Sequence, residues 1–381
     1  MYTRNIVLPT NKSFFLFGPR ATGKTTLVKS RYPDAIYIDL LDGQIFQTLL
    51  AHPEKLASFI PPNHTNYIII DEVQRVPELL NEVHRLIENK KYNFILTGSS
   101  ARKLRRQGQN LLAGRALTYQ LHPLSAEELG GDFSLEFVNK YGSLPTVFTE
   151  EDPQKYLYSY VKTYLQEEIM QEGLTRNLGA FARFLEVASF SVGSIINATS
   201  IAQEVMVERK VIENYFSILE DLMVGYKLPG FTRRAKRRIV SKPKFYFFDT
   251  GVYRTLRPSG PIDTDQEIGG IALENLFFQN LLAVNDSEDL KYNFYYYRTV
   301  NGSEVDFIAY GPNGFHAFEI KSSQNITAKH LRGLKTFSKV YPEAKLHIFY
   351  MGNQTRYEGN ITTHPFEKDI TNLSKILKSN N

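Results

Sequence analysis

The stretch Phe14-Phe15-Leu16-Phe17-Gly18-Pro19-Arg20-Ala21-Thr22-Gly23-Lys24-Thr25 decides how the rest of the chain is read. An apolar run of buried-strand type ends in Gly, four residues, then Gly-Lys-Thr, and a helical segment starting Thr26-Leu27-Val28-Lys29 follows. Those residue types suit a polyphosphate. Gly18 and Gly23 let the loop curl so that backbone N–H groups face the anion, and the start of the helix adds positive potential. The strand-to-helix setting is what gives such a loop its meaning. Lys24 is expected at the β- and γ-phosphates of a polyphosphate and the Thr25 hydroxyl on Mg²⁺. Gly18, Pro19, Arg20, Ala21, Thr22, Gly23, Lys24, Thr25 and Thr26 form the expected nucleotide-binding set.

Tyr67-Ile68-Ile69-Ile70-Asp71-Glu72 reads as a second buried strand, ending in two carboxylates. At that edge of a parallel sheet Asp71 belongs beside Mg²⁺, and Glu72 is placed to polarise the attacking water. Phe94-Ile95-Leu96 runs into Thr97-Gly98-Ser99-Ser100, where the Thr97 hydroxyl is a candidate partner for the same water or for the γ-phosphate. Ordinary turn chemistry explains that Gly-Ser-Ser equally well. Arg115 has two readings: an arginine finger offered across the interface of a homo-oligomer, or a surface arginine pairing with a carboxylate. Arg102, Arg105 and Arg106 compete for the first role. Short apolar runs at 14–17, 35–40, 67–70, 94–96 and 116–121 alternate with helical patterns, which predicts a parallel sheet covered on both faces.

The 381 residues are 42% hydrophobic and 22% charged, enough for two or three domains with their own cores. The absence of Cys excludes disulfides, thiolate zinc sites and iron–sulfur clusters. No signal-type start occurs, and no apolar run approaches the ~20 residues a bilayer requires, so a soluble cytoplasmic chain without membrane contact is expected. A net charge of +5 is mild, which leaves any acidic partner to local clusters. Neither His-Glu-x-x-His nor Gly-x-Ser-x-Gly is present, so metalloprotease and α/β-hydrolase chemistry lack support. Texture divides the chain into 1–135, 136–255 and 256–381, the second boundary falling in the Pro-, Gly- and Asp-rich stretch 257–265.

The middle block is helical and then basic. Thr199 or Ser200 can cap a short helix, and Val211, Tyr215, Ile218, Leu219 and Leu222 form the apolar stripe of a second from about 208 to 222. Strand-like runs at 226–231 and 244–248 follow, which predicts a winged helix-turn-helix beside a helical lid. The tip between the runs, Thr232-Arg233-Arg234-Ala235-Lys236-Arg237-Arg238, is a concentrated positive patch. Such a patch is the footprint of phosphate-backbone contact with DNA; a solvated loop or a protein-docking wing is the other reading.

In the third block the spacing is informative. The runs 303–310 and 315–321 flank Gly311-Pro312-Asn313-Gly314, and centring the turn on Pro312 and Asn313 sets Asp306 opposite Glu319, with Lys321 on the same face. Two carboxylates abreast repel and resist ionising together. Mg²⁺ or Mn²⁺ would relieve both problems, and Lys321 would orient or deprotonate a water. Glu274, the lone acid on an apolar helix upstream, completes the set. A purely structural carboxylate cluster is the competing reading.

The first block resembles the AAA-type ATPases, through Gly-Pro-Arg-Ala-Thr-Gly-Lys-Thr, Ile-Ile-Asp-Glu and Thr-Gly-Ser-Ser. No Asn-Lys-x-Asp motif for guanine is present, which favours ATP. Arg176 and Arg183 are the candidates for a lid arginine. Glu274, Asp306 and Glu319-Ile320-Lys321 resemble the core of the PD-(D/E)XK restriction-endonuclease-like nucleases. The whole chain, including 160–165 and 245–251, resembles a group of prokaryotic AAA ATPases whose C-terminal domain of unknown function carries these motifs. The resemblance implies an α/β protein: a P-loop AAA-type parallel sheet, a helical lid with winged helix-turn-helix, and a restriction-endonuclease-like C-terminal domain. It further implies Mg²⁺-dependent ATP hydrolysis coupled to DNA contact and a nuclease-like site, or a nucleotide-switched DNA- or protein-binding module with that site inactive.

Overall fold

The computed structural model describes residues 2–100, 104, 112, 114–165, 177–232, 242–261 and 263–379. The chain forms two compact units, one of residues 4–122 with 221–223, the other of 1–3, 123–220 and 224–381.

The first unit is built on five parallel strands: β1 (Ser13–Phe17), β2 (Ile36–Asp39), β3 (Ile68–Asp71), β4 (Phe94–Gly98) and β5 (Ala116–Gln120), in the order β2-β3-β4-β1-β5. Helices α1 (Lys24–Arg31), α2 (Gly43–Ala51) and α3 (Leu79–Lys90) connect them. Alternation explains why the strands read as almost unbroken apolar runs. Phe15, Phe17, Ile68, Ile70 and Leu96 pack with Leu79, Val83 and Leu86 of α3, while Phe14, Leu16, Ile69 and Ile95 pack with Leu27 and Val28 of α1. With both faces covered, no position on β1 tolerates water.

The second unit includes helices α4 (Leu135–Tyr141), α5 (Pro153–Ser159) and α6 (Leu178–Ser189), then α7 (Ala198–Val205) and α8 (Arg209–Asp221). The two short strands β6 (Gly225–Leu228) and β7 (Lys244–Phe247) pair antiparallel, and α9 (Thr250–Leu256) and α10 (Asp265–Ser287) lead to the C-terminal sheet. That sheet has the order β12-β13-β11-β10-β9-β8. Its strands are β8 (Asn293–Arg298), β9 (Glu304–Gly311), β10 (Gly314–Lys321), β11 (Lys345–Tyr350), β12 (Arg356–Glu358) and β13 (Ile361–Pro365), with α11 (Ala328–Ser338) between β10 and β11 and α12 (Leu373–Lys378) last.

The hairpin register is the one the turn sequence predicts: Phe315 pairs with Tyr310 and Phe318 with Phe307. Both faces of the hairpin are buried. Phe277 of α10 lies against Phe307, Phe318 and Phe349, while Leu331, Leu334 and Phe337 of α11 cluster with Ile308, Ala317 and Ile348. The acidic face is therefore roofed by a helix, which alternation within the hairpin alone does not reveal.

Three histidines on adjacent strands form a buried chain. Nδ1 of His316 lies 3.2 Å from Nε2 of His347, whose Nδ1 lies 3.0 Å from Nε2 of His364. Asp369 accepts at 2.9 Å from His364, and the Tyr292 hydroxyl stands 3.3 Å from His316. Burial, with a smaller push from Lys345, takes His316 from 6.5 down to about 4. Burial likewise holds His347 well below the usual imidazole value. A depressed folded-state pKa means the unfolded chain binds more protons, so this stability is present above pH 6.5 and is lost as pH falls toward 4. His316 alone should cost about 2 kcal/mol between pH 7 and 5. Glu274 and Glu319, both raised by burial, push the other way over this range. The His316 part is therefore read as the difference between wild type and His316→Phe in urea unfolding at the two pH values. The wild type should lose more stability than the variant, and an equally steep change in both contradicts this assignment.

Candidate functional site

Two side-chain constellations stand out, one in each unit. In the first, Ala21 and Gly23 take left-handed backbone conformations, φ 65° and 89°. Gly23 starts α1 with no side-chain cap, which leaves the N–H groups of the first turn for an anion. Gly18 has no room for a side chain, since a Cβ there would lie 2.4 Å from the Leu121 carbonyl. Lys24 arches over the loop and donates to the carbonyls of Gly18 at 2.7 Å and Pro19 at 3.0 Å. Arg4, a residue with no sequence signal, is buried and donates to the carbonyls of Thr22 at 3.1 Å and His122 at 2.5 Å.

Asp71 is only 2% exposed. Because β4 lies between β3 and β1, Thr97 at its end faces the Asp71 carboxylate and donates to it. Thr25 donates to the same carboxylate at 2.7 Å, and so does the Tyr37 hydroxyl of β2. Burial and the Asp71 hydrogen bond push the Tyr37 phenol far above its ordinary value, which keeps it a donor. Sequence reasoning missed Tyr37, whose strand position shows only an aromatic. Glu72 follows in a left-handed conformation, φ 59°, with its amide donating to Thr97 at 3.3 Å. Its carboxylate accepts from Gln74 Nε2, which also reaches Ser99 at 3.2 Å. Gln74 too was missed. A Mg²⁺-nucleotide fits this donor set: an uncapped helix start, a loop too tight for side chains, a lysine and a hydroxyl–carboxylate pair.

Arg115 hydrogen-bonds through Nε to Glu88 of α3, and that guanidinium is the main reason the Glu88 carboxyl lies below its ordinary value. Arg102, Arg105, Arg106, Arg176 and the basic run Arg233–Arg238 lie outside the described residues. Arg183 donates to the Val205 carbonyl at 3.4 Å.

The second constellation sits at the open end of the β9–β10 hairpin. The ladder stops at Phe307–Phe318, and the Asp306 carboxylate takes over, accepting from the Ile320 amide at 2.8 Å. Lys321 donates to Glu319 at 2.5 Å and to Asp306 at 3.4 Å. Glu274 of α10 accepts from the Tyr246 hydroxyl. Lys244, the first residue of β7, lies 3.7 Å from Glu274 and 2.5 Å from Glu304. Neither Lys244 nor Glu304 was expected at this site. Four carboxylates (Glu274, Glu304, Asp306, Glu319) thus face two ammonium groups (Lys244, Lys321), with Arg298 at the rim 3.7 Å from Glu304.

Burial, then Asp306, pushes Glu274 up to about 7 against the pull of Lys244. Burial and Asp306 push Glu319 up as well, whereas Lys321, Lys244 and the Ile320 amide outweigh burial and lower Asp306. Glu274, Asp306 and Glu319, the acids expected as metal ligands, stand here with ammonium groups among them. Among the described residues no three acid or histidine side chains are grouped as around an ion. The oxygen donors and the surplus charge suit a hard dication; their placement does not. Glu304, Asp306 and Glu319 line a cavity of about 370 Å³ together with Lys321 and with Lys329, His330 and Arg332 of α11.

The comparisons follow the division between these regions. Residues 10–130 match a family model described as an AAA domain. The N-terminal region is of the AAA, P-loop ATPase type. Residues 134–263 and 269–368 match two further models, each described as a domain of unknown function (DUF8612 and DUF4143). A Haemophilus influenzae protein is 25% identical over 287 residues, 70% of this chain and 67% of its own. A Methanocaldococcus jannaschii protein is 25% identical over 373 residues, 90% of this chain and 81% of its own. Both are described as uncharacterized. Among solved structures, the Aeropyrum pernix Orc1 protein in complex with DNA aligns over 64% of this chain and 86% of its own, at 13% identity and a TM-score of 0.26. A Vibrio cholerae protein aligns over 90% and 97% at 10% identity and a TM-score of 0.23. Likenesses of that depth carry no argument about this chain. Among the described residues, no helix is long and apolar enough to cross a membrane.

The roof over the carboxylates gives a sharp test of this geometry. A Cβ on Gly333 of α11 would lie 2.1 Å from the Glu304 carbonyl and 2.5 Å from Glu319 Oε1. Gly333→Ala should therefore destabilise the protein by about 1–3 kcal/mol in denaturant unfolding, although alanine is the better helix former. A stabilised or unchanged variant would show that α11 does not close on β9 as described.

Proposed function

We propose that the chain is a Mg²⁺-dependent ATPase that couples nucleotide state to DNA contact and to the nuclease-like pocket of the C-terminal domain. The observation that carries this reading is the convergence of Thr25, Thr97 and Tyr37 on buried Asp71, beside a loop spanned by Lys24. Bound nucleotide supplies a phosphoanhydride bond whose cleavage Mg²⁺ assists. Lys24 exchanges its loop carbonyls for phosphate oxygens. Thr25 and Asp71 hold the magnesium position. Thr97 orients the end of β3, and Glu72 takes a proton from the attacking water once Gln74 releases it. Arg115, let go by Glu88, serves a neighbouring copy in a homo-oligomer.

The DNA part of the proposal rests on the basic run 232–238. Residues on either side of it are tied to one place, since the Phe231 amide donates to the Tyr296 carbonyl at 2.7 Å and the Tyr296 hydroxyl donates to the Lys242 carbonyl at 2.7 Å. A second reading, a nucleotide-switched binding module without strand cleavage, is favoured by the lysine among the carboxylates.

Phosphate release from ATP measures the first claim. Lys24→Ala should lower it at least roughly 100-fold, as loss of a transition-state charge clamp does. Glu72→Gln should keep nucleotide binding and lose turnover by a similar factor. Release unaffected by Lys24→Ala would remove the ATPase from the account. Plasmid cleavage with Mn²⁺ by the wild type, absent in Asp306→Ala, selects the nuclease reading; no cleavage by either selects the binding module.

A further inference from the structure

Lys244 is a buried lysine whose ammonium is delivered to the hairpin acids from a strand outside the hairpin. Its backbone pairs with Leu228 of β6 on one side and bridges to Ile195 on the other. Its side chain is 3% exposed, and Nζ lies 5.6 Å from the centre of the Tyr296 ring. A buried ammonium of this kind needs paired acids, and both of its partners, Glu274 and Glu304, belong to the carboxylate group on α10 and β9. The strand that carries Lys244 lies outside the hairpin and has its own pairing partners, so the hairpin does not need this lysine in order to form.

An ammonium and a hard dication compete for the same carboxylate oxygens, and the two repel at close range. We propose that Lys244 is the resident counter-ion of the carboxylate pocket: it holds Glu274 and Glu304 in place of a divalent cation and thereby sets the pocket's affinity for Mg²⁺ or Mn²⁺. The proposal rests on the reading of this pocket as a nuclease-like cation site. It explains why the acids expected as ligands stand close together without forming a cage, and it makes β7 the element whose position decides whether the cage closes.

Manganese binding to the nucleotide-free full-length protein, read from the loss of the free Mn²⁺ paramagnetic resonance signal, tests this directly. Lys244→Met should bind Mn²⁺ at least roughly tenfold more tightly than the wild type, about 1.4 kcal/mol. Adding Asp306→Asn to Lys244→Met should abolish the gain. Should Lys244→Met fail to fold, Lys244→Met/Glu304→Gln keeps the net charge, and its affinity is compared with that of Glu304→Gln alone; the same direction of change is expected. Equal or weaker binding by the lysine variants, with Asp306→Asn still lowering affinity, overturns the counter-ion role and leaves the cation-site reading standing. Binding that Asp306→Asn does not alter in any background overturns both.

Discussion

A carboxylate taken out of water must be repaid by donors or by opposite charge, and both constellations of this protein are organised around that constraint. Asp71, at the edge of the parallel sheet, is met by three hydroxyls from three different segments. The acids of the C-terminal hairpin are met by two lysines, one from their own strand and one from β7. The two solutions differ in kind. Hydroxyls leave the negative charge of Asp71 intact and available to a cation, whereas ammonium groups cancel the charge they touch.

That difference orders the chemistry. Around Asp71 a magnesium ion would exchange only with the Thr25 hydroxyl hydrogen bond, and Lys24 would exchange loop carbonyls for phosphate oxygens. In the hairpin pocket two lysines pair with the acids, so a dication would have to compete with an ammonium. The cavity is lined by Lys329 and Arg332 of α11 as well as by the acids.

Local pattern made much of this legible. The loop at Gly18–Thr25 and the strands ending in Asp71 and Thr97 carry their periodicity in consecutive residues, and the Gly311–Gly314 turn set the register as far as Phe307–Phe318, beyond which Asp306 accepts from the Ile320 amide. The residues that escaped notice are delivered from a distance. Tyr37 sits on a strand whose neighbour had to be known before its hydroxyl had meaning, and Arg4 braces a loop through carbonyls, which leave no mark in sequence. Lys244 read as one more charge in a basic stretch, because only the packing of β7 against α10 separates it from its neighbours. Gly333 was invisible for the same reason, since a glycine within a helix gains significance only from what lies opposite.

The account depends on the N-terminal loop and Asp71 forming one Mg²⁺-nucleotide site. A crystal of the protein grown with a non-hydrolysable ATP analogue and Mn²⁺ measures that most directly. The account predicts an anomalous manganese peak between the Thr25 hydroxyl and the Asp71 carboxylate, with phosphate density against the amides of 18–25. Nucleotide density elsewhere, or a manganese ion bound with the Thr25–Asp71 hydrogen bond undisturbed, would contradict it.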